Sequence, residues 1–254
     1  MRYRWGIPSY QRADAPLTVD LLRSLGYGKA DIIVSTQTEE DFAAYQATQG
    51  DRATVVYAPA RNDSENRNNT LKRFKPWEQM ILADDDISSL CRLSADGKRL
   101  VPIEDGAELE RLFDLMFSFC FRNNALMWAW YPVPNAFFMK RTIDRRNILC
   151  GTIFGIVNDE LCQFDGRYAL KGDYELALRH IARGMNAVRF NGFTCVGRHR
   201  SKGGCEEFRK RGENDVFCKS LLARYGGLLS PSHRDGEIRF RGDTGHVPEE
   251  ALFS

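Results

Sequence analysis

What the sequence has little of narrows the field first. Its seven cysteines (Cys91, Cys120, Cys150, Cys162, Cys195, Cys205 and Cys218) are odd in number, and no two stand in C-x-x-C spacing. That argues against a structural zinc site and against a disulfide framework. Most sit among apolar residues and read as small buried groups in a reducing compartment. Long hydrophobic runs are missing too. The most apolar stretch, Ala125 to Met139, is interrupted by Pro132, Pro134 and Asn135, so nothing is long enough to span a bilayer. No signal peptide opens the chain, because Arg2 and Arg4 are followed by Pro8 and polar residues. A cytoplasmic protein with no membrane partner is expected. Net charge is small: 36 Lys and Arg against 34 Asp and Glu leave +2. The total does not mark a nucleic-acid binder, and only the distribution of charge can argue for one. Internal repeats and low-complexity linkers are absent.

What is present is an ordinary globular composition, 43% hydrophobic over 254 residues, enough for a proper core. Arg4 to Ser9 reads as a first strand. Pro16 opens a helix with Leu17, Leu21, Leu22 and Leu25 on one side. Asp31 to Ser35 is a buried strand, Thr38 starts a helix to about Ala47, and Ala53 to Tyr57 is a third strand. The order βαβαβ favours a parallel sheet. The polar segment from Ala60 to Lys75 reads as a surface loop. Trp77 to Ala83 is a fourth strand running into three aspartates, and Leu90 to Val101 a hairpin around Asp96-Gly97. A long amphipathic helix follows from about Ile103, with Leu109, Leu112, Phe113, Met116, Phe119 and Cys120 on its apolar face. Further strands are expected at Ala136–Arg141, Thr152–Val157, Ala187–Phe193 and Glu237–Arg241. Helices are expected from near Asp173 and over Asp215–Tyr225. The expected architecture is a single α/β domain over 1–254 with a mixed central sheet. Its Rossmann-like front half, about 1–100, would bind a nucleotide, and about 101–254 would bind an acceptor.

The strongest chemical signal is Asp84-Asp85-Asp86 at the end of a strand, where open α/β sheets bind ligands. Adjacent carboxylates repel unless a cation neutralises them. Mg2+ or Mn2+ takes such oxygens and completes its shell with water and substrate phosphates. In an extended chain Asp84 and Asp86 point the same way, toward a metal, and Asp84 and Asp85 are expected to contact the donor. A solvated acidic turn is the plain alternative. Pro8-Ser9-Tyr10-Gln11-Arg12 places a ring and a guanidinium at the same edge, for a base and a phosphate, or simply caps the strand. Arg61 and Arg67, among the asparagines of the polar segment, suit sugar hydroxyls or phosphate. Asp173 at a helix start is either an N-cap or a general base aimed at an acceptor hydroxyl. The loop Gly197 to Gly204 holds His199, a candidate third metal ligand, and Lys202, a candidate diphosphate contact. Basic residues cluster at Arg61–Lys75, Lys140–Arg146 and Arg198–Arg211. Arg145 and Arg146 are therefore candidates for a polyanionic acceptor, and Trp128 and Trp130 for stacking on an exposed base, against a core role for at least one of them.

Taken together, P-S-Y-Q-R, A-R-N at Arg61, D-D-D at Asp84–Asp86, G-D-Y-E at Asp173 and the late R-H-R-S-K-G-G loop resemble a GT-A fold glycosyltransferase. Within that group the pattern is similar to the TET-associated glycosyltransferases of bacteriophages, relatives of the GREB glycosyltransferase-like domain. The resemblance covers about residues 2–205. It implies donor binding at Pro8, Ser9, Tyr10 and Arg12, and metal and diphosphate contacts at Asp84 and Asp86. It further implies a base at Asp173, and metal or phosphate contact at His199. The implied reaction is transfer from a nucleotide sugar, a UDP-sugar, to hydroxymethylated pyrimidine in phage DNA, with Mn2+ or Mg2+. Gly172 stands where many inverting relatives carry a second acid. Transfer to a saccharide, lipid or protein, and a binding module without catalysis, are the alternatives. A pyrophosphorylase lacks support, because I-P-S-Y-Q-R is not a glycine-rich triphosphate loop.

Overall fold

The computed structural model describes residues 2–197, 212–232 and 237–253. The first five elements come as expected. Strand β1 (Arg4–Ser9), helix α1 (Leu17–Ser24), strand β2 (Ile32–Thr36), helix α2 (Glu39–Gln49) and strand β3 (Thr54–Tyr57) form a parallel βαβαβ unit. The polar segment is the first departure: it is a helix, α3 (Asp63–Leu71). Strand β4 (Gln79–Ala83) then pairs parallel with β1. The hairpin is β5 (Ile87–Leu93) and β6 (Leu100–Pro102), and the long helix is α4 (Gly106–Arg122).

In the second half, β7 (Ala125–Tyr131) is a strand where the sequence showed only an apolar aromatic run. Ala136–Arg141 is not a strand. Backbone hydrogen bonds from Phe138 to Asn135 and from Met139 to Ala136 curl it into a turn, and the strand β8 begins after it (Thr142–Asp144). Strand β9 (Ile153–Val157), helix α5 (Gly172–Ala182), strand β10 (Asn186–Gly197) and helix α6 (Glu213–Tyr225) match their expected places. Short strands β11 (Leu229–Pro231), β12 (Ile238–Phe240) and β13 (Val247–Pro248) complete the chain.

The main sheet runs β13-β8-β10-β7-β9-β4-β1-β2-β3, with the β5–β6 hairpin attached through β10. Strand β9 is inserted antiparallel between β4 and β7, which makes the sheet mixed. Helices α1 and α4 cover one face over an aromatic core of Trp5, Phe113, Phe117, Trp128 and Trp130. Helices α3 and α5 cover the other, with Leu71, Leu82, Phe154 and Leu176 between. Trp128 is seated by Gly155 on the paired strand: a Cβ there would lie 2.0 Å from the indole. Helix α6 packs separately against Tyr168, Leu178 and the β11–β12 ribbon. Among the described residues no helix is long and apolar enough to cross a membrane.

Candidate active site

Strand β4 is buried along its last four residues and delivers the three aspartates at its carboxyl end. The turn they form is held by Thr18 in the first turn of α1. Its hydroxyl donates to the Asp84 carbonyl at 2.7 Å and accepts from the Ile87 N–H at 2.9 Å. The Asp84 N–H donates to the Thr152 carbonyl, at 2.8 Å, just before β9. The turn is therefore pinned by α1 on one face and by the neighbouring strand at its side, and the three side chains have fixed directions.

Those directions give the aspartates separate duties. Asp85 is buried and points back into the fold, where Ser9 donates to one carboxylate oxygen and Arg12 to the other, at 2.5 Å. Tyr45 of α2 hydrogen-bonds Ser9. Arg12 also reaches Asp86, at 3.1 Å. Asp85 thus fixes Ser9 and Arg12 and does not open to a ligand. The expectation that it contacts the donor is corrected to a positioning role. Asp84 pairs with Arg67 at 2.6 Å and keeps about a third of its side-chain surface open. Burial, together with the charges of Asp63 and Asp86, pushes its carboxyl up to about 7 against the opposing pull of Arg67. Asp85 is likewise raised by burial, with Arg12 and Ser9 opposing.

Arg67 is the hub. Its Nε donates to Asp63 at 2.7 Å, and its plane lies over Phe154 and Phe164 at 5.6 and 5.7 Å from their centroids. The third nitrogen, Nη1, is buried without a hydrogen-bond partner. Its charge is also felt by Asp173, whose pKa burial raises while Arg67 and Lys171 oppose. Asp173 is not the N-cap of α5: it lies inside the first turn, after Lys171 in a left-handed conformation (φ 65°). Gly172 explains this approach. A Cβ there would stand 2.2 Å from the Ser64 hydroxyl of α3, so no second acid fits, and α3 and α5 close together around Arg67.

Several expected site residues do assemble at this edge: Pro8 and Ser9 at the end of β1, Tyr10 and Arg12 just beyond it, Arg67 on α3, Asp84 and Asp86, and Asp173. Others do not. Arg61 is exposed and folds onto Glu65. Trp128 and Trp130 are 0% and 1% exposed, packed on Phe113, so neither can stack on an acceptor; both are core residues. Arg145 and Arg146 follow β8, which runs antiparallel to β10, and Arg146 bridges to Ala187. They lie at the end of the sheet away from Gly197 and the acidic turn. His199 and Lys202 lie outside the described residues. Residues that the sequence reading passed over are Thr18, Tyr45, Asp63 and Asp41, which accepts from the backbone N–H of Gln11 (φ 57°). Asn62 and Glu65 carried the signal for α3, an N-cap three residues before an acid: the Asn62 side chain accepts from the Glu65 N–H.

The donor set suits a hard divalent ion. Among the described residues no three His, Cys, Asp or Glu side chains form a closed metal site. Asp84, about a third open, and Asp86, buried and paired with Arg12, offer two carboxylates of the kind Mg2+ or Mn2+ uses when phosphates and water supply the rest. Burial first, and then the neighbouring Asp63 and Asp86, raise the Asp84 carboxyl against the pull of Arg67, and a cation there would favour its ionised form.

No family model and no curated protein matches this sequence. The fold, however, is similar to that of solved glycosyltransferases. One is a mannosyltransferase from Pyrobaculum calidifontis in complex with GDP-Man and Mn2+: TM-score 0.58, 15% identity, covering 92% of this chain and 66% of that one. The chain thus spans slightly less than two thirds of that protein. Another is glucosyl-3-phosphoglycerate synthase from Mycobacterium tuberculosis, in complex with Mn2+, UDP and glucosyl-3-phosphoglycerate. It gives a TM-score of 0.53 and 12% identity over 100% of this chain and 92% of that one. At such identities the likeness is one of fold, and the fold is the GT-A-like mixed α/β architecture that the motifs led us to expect.

Proposed function

We propose that this protein is a metal-dependent glycosyltransferase that moves a sugar from a nucleotide sugar, UDP-linked, to a hydroxyl acceptor. The observation that carries the reading is the pinned acidic turn at the carboxyl edge of β4, joined through Arg67 to Asp173. Fold neighbours that bind nucleotide sugars with Mn2+ support it.

Asp84 and Asp86 would hold the ion, and the chemistry it would supply there is that of a Lewis acid stabilising the charge of the departing phosphate. Ser9, Tyr10 and Arg12 bind the nucleotide, with Arg12 held in place by Asp85 and Asp86. Arg67 keeps Asp84 and Asp173 from repelling each other, and its unpartnered Nη1 is a donor for a sugar hydroxyl or phosphate oxygen. Asp173 takes the proton of the acceptor hydroxyl as its oxygen bonds to the anomeric carbon. The bond from that carbon to the diphosphate breaks, and the electron pair leaves on phosphate. Burial raises the Asp173 pKa toward the working pH, which favours proton acceptance in the transition state. This role makes transfer inverting.

As acceptor we take a hydroxymethylated pyrimidine in DNA, on the strength of the motif resemblance to the phage enzymes. The test is a panel of nucleotide sugars with Mn2+, followed by release of nucleotide diphosphate, first with EDTA and then with Mn2+ restored. Full turnover in excess EDTA overturns the metal role. Retention of the donor's anomeric configuration removes Asp173 as inverting base. Label appearing on saccharide or protein while hydroxymethylcytosine DNA stays inert replaces the acceptor.

A further inference from the structure

A cavity of about 320 Å³ opens on the outer part of the sheet, away from the acidic turn. Its floor is polar. Thr142 and Asp144 of β8, Arg189 and Asn191 of β10 and Asn147 line it, with Tyr131, Phe138, Lys140, Thr244 and His246 around them. The volume falls at the lower end of small-ligand sites, about 300–1,000 Å³.

Its location follows from strand alternation. Met127 and Ala129 of β7 and Ala187 of β10 pack in the cluster under α3 and α5. Tyr131, Arg189 and Asn191 are on the same side of those strands, two or four residues on. The cavity therefore continues the face on which α5 presents Asp173. Asn147 is three residues from Cys150, a span of at most about 11 Å, and Cys150 is close enough to Asp173 to feel its charge.

The hydrogen bonds of the floor decide what it can take. Asp144 Oδ2 accepts from Asn147 at 2.7 Å and from Arg189 Nη2 at 2.9 Å, and its Oδ1 faces His246 Nδ1 at 3.0 Å. Burial pushes the Asp144 pKa up, but His246, Arg189 and Asn147 outweigh it and hold the carboxyl low. Asn191 Oδ1 accepts from Arg189 Nε at 2.8 Å, and Asn147 Oδ1 from the Ile148 N–H at 2.8 Å. The carboxylate and amide oxygens of Asp144, Asn191 and Asn147 are thus engaged within the floor. Donor capacity remains: Arg189 Nη1, the Thr142 hydroxyl hydrogen (its oxygen accepts from Asn191 at 3.2 Å) and the Lys140 ammonium. Arg189 and Asp144 cancel in charge, so Lys140 leaves the cavity net positive. Arg145 lies beside its rim, with Nε donating to the Gly245 carbonyl at 2.8 Å, whereas the Arg146 guanidinium turns to Asn186 Oδ1 at 2.8 Å.

We propose that this cavity is a second ligand site that binds an oxyanion, a phosphate ester carried by the acceptor. The open donors of Arg189, Thr142 and Lys140, one uncompensated cation and Arg145 at the rim match a phosphate, which accepts at every oxygen. That the anion belongs to the acceptor rests on the glycosyltransferase reading; that the cavity binds an oxyanion does not.

The test titrates inorganic phosphate into the full chain and follows the His246 ring by NMR. A saturable shift is expected, weakened at least tenfold in the double variant Lys140→Ala, His246→Ala when binding is read by calorimetry. Both side chains are exposed, so the fold should survive. Arg189→Lys, which retains a charge for Asp144, should weaken phosphate as well. UDP binding with Mn2+ should not change in any of them. Phosphate affinity unaltered by all three substitutions, or no saturable shift in the wild type, overturns the site. Competition then separates the sources. Displacement of phosphate by a short oligodeoxynucleotide identifies a nucleic-acid phosphodiester, and displacement by a sugar monophosphate alone identifies a small phosphorylated acceptor. Displacement by neither overturns the acceptor assignment. Failure of every nucleotide sugar to bind would remove the transferase reading and leave the phosphate result standing.

Discussion

Helices α3 and α4 lie on opposite faces of one sheet and bury opposite kinds of side chain. Over 17 residues α4 buries Leu109, Leu112, Phe113, Met116, Phe117, Phe119 and Cys120. Over nine residues α3 buries Ser64, Asn66, Arg67 and Thr70, with Leu71 its one buried hydrophobe. The first helix holds the sheet flat against an aromatic layer. The second spends its buried surface on hydrogen bonds and charge, bonding backbone carbonyls of the first two strands through Asn66 and the metal-side carboxylate through Arg67. One molecule therefore keeps stability and chemistry on separate faces, and substitutions should separate them.

The largest effect expected is on the polar face. Asp86→Asn should cut turnover about ten-thousandfold, equivalent to ~5 kcal/mol of transition-state stabilisation, because the proposed metal site loses one of its two carboxylates. Unfolding should show the fold intact, and a substantial drop in melting temperature would contradict the division. The converse is Phe113→Ala. Deleting a fully buried ring should cost about 4 kcal/mol and lower Tm by on the order of 10 °C. Turnover per folded molecule should stay near wild type, measured well below the new Tm.

Asp144 tests whether a buried polar cluster away from the acidic turn is structural in the same sense. Its folded pKa is depressed below the ordinary 3.8. The stability it contributes is therefore present above the unfolded value and is lost as pH falls through the folded one. Asp144→Asn should cost about 3 kcal/mol at pH 7, where Arg189 would lose its charge partner. The gap to wild type should close on acidification below about pH 4. A gap constant from pH 7 to pH 3, measured by urea unfolding, would rule out the ion pair as its source. The smallest effect is expected of Asn62→Ala, which removes the N-cap of α3 for about 1 kcal/mol. Because Arg67 rides on that helix, apparent donor affinity should weaken as well, whereas an α4 cap change such as Asp105→Ala should leave it alone.

This asymmetry also explains which parts could be read beforehand. Apolar periodicity marked α1, α4 and α5, and the βαβαβ front was plain from short apolar runs separated by turn residues. The GT-A-like fold and the acidic turn at a strand end followed from those. Helix α3 escaped because its inward face is polar, so the 3.6-residue pattern of hydrophobes is missing; only Asn62 and Glu65 gave it away. Strand β7 escaped for the contrary reason. Covered on both sides, it reads A-L-M-W-A-W-Y without alternation, and its tryptophans looked available for stacking. The separate duties of three consecutive aspartates depend on Ser9, Arg12, Thr18 and Arg67, which no local motif ties to them.

Strand β9 carries a consequence for synthesis. It supplies the Thr152 carbonyl to Asp84, and β10 later pairs Gly197 with Ile87. An emerging chain with only the front unit outside the ribosome has its aspartates but neither of these supports. At roughly 5–20 residues per second, about 5–20 s pass between the translation of Asp86 and that of Gly197. For that interval the nascent protein displays a bare, like-charged loop and an unpaired edge of β4. Closure through contacts so distant in sequence comes late in folding. The acidic end is then the last part of the nascent fold to acquire its shape.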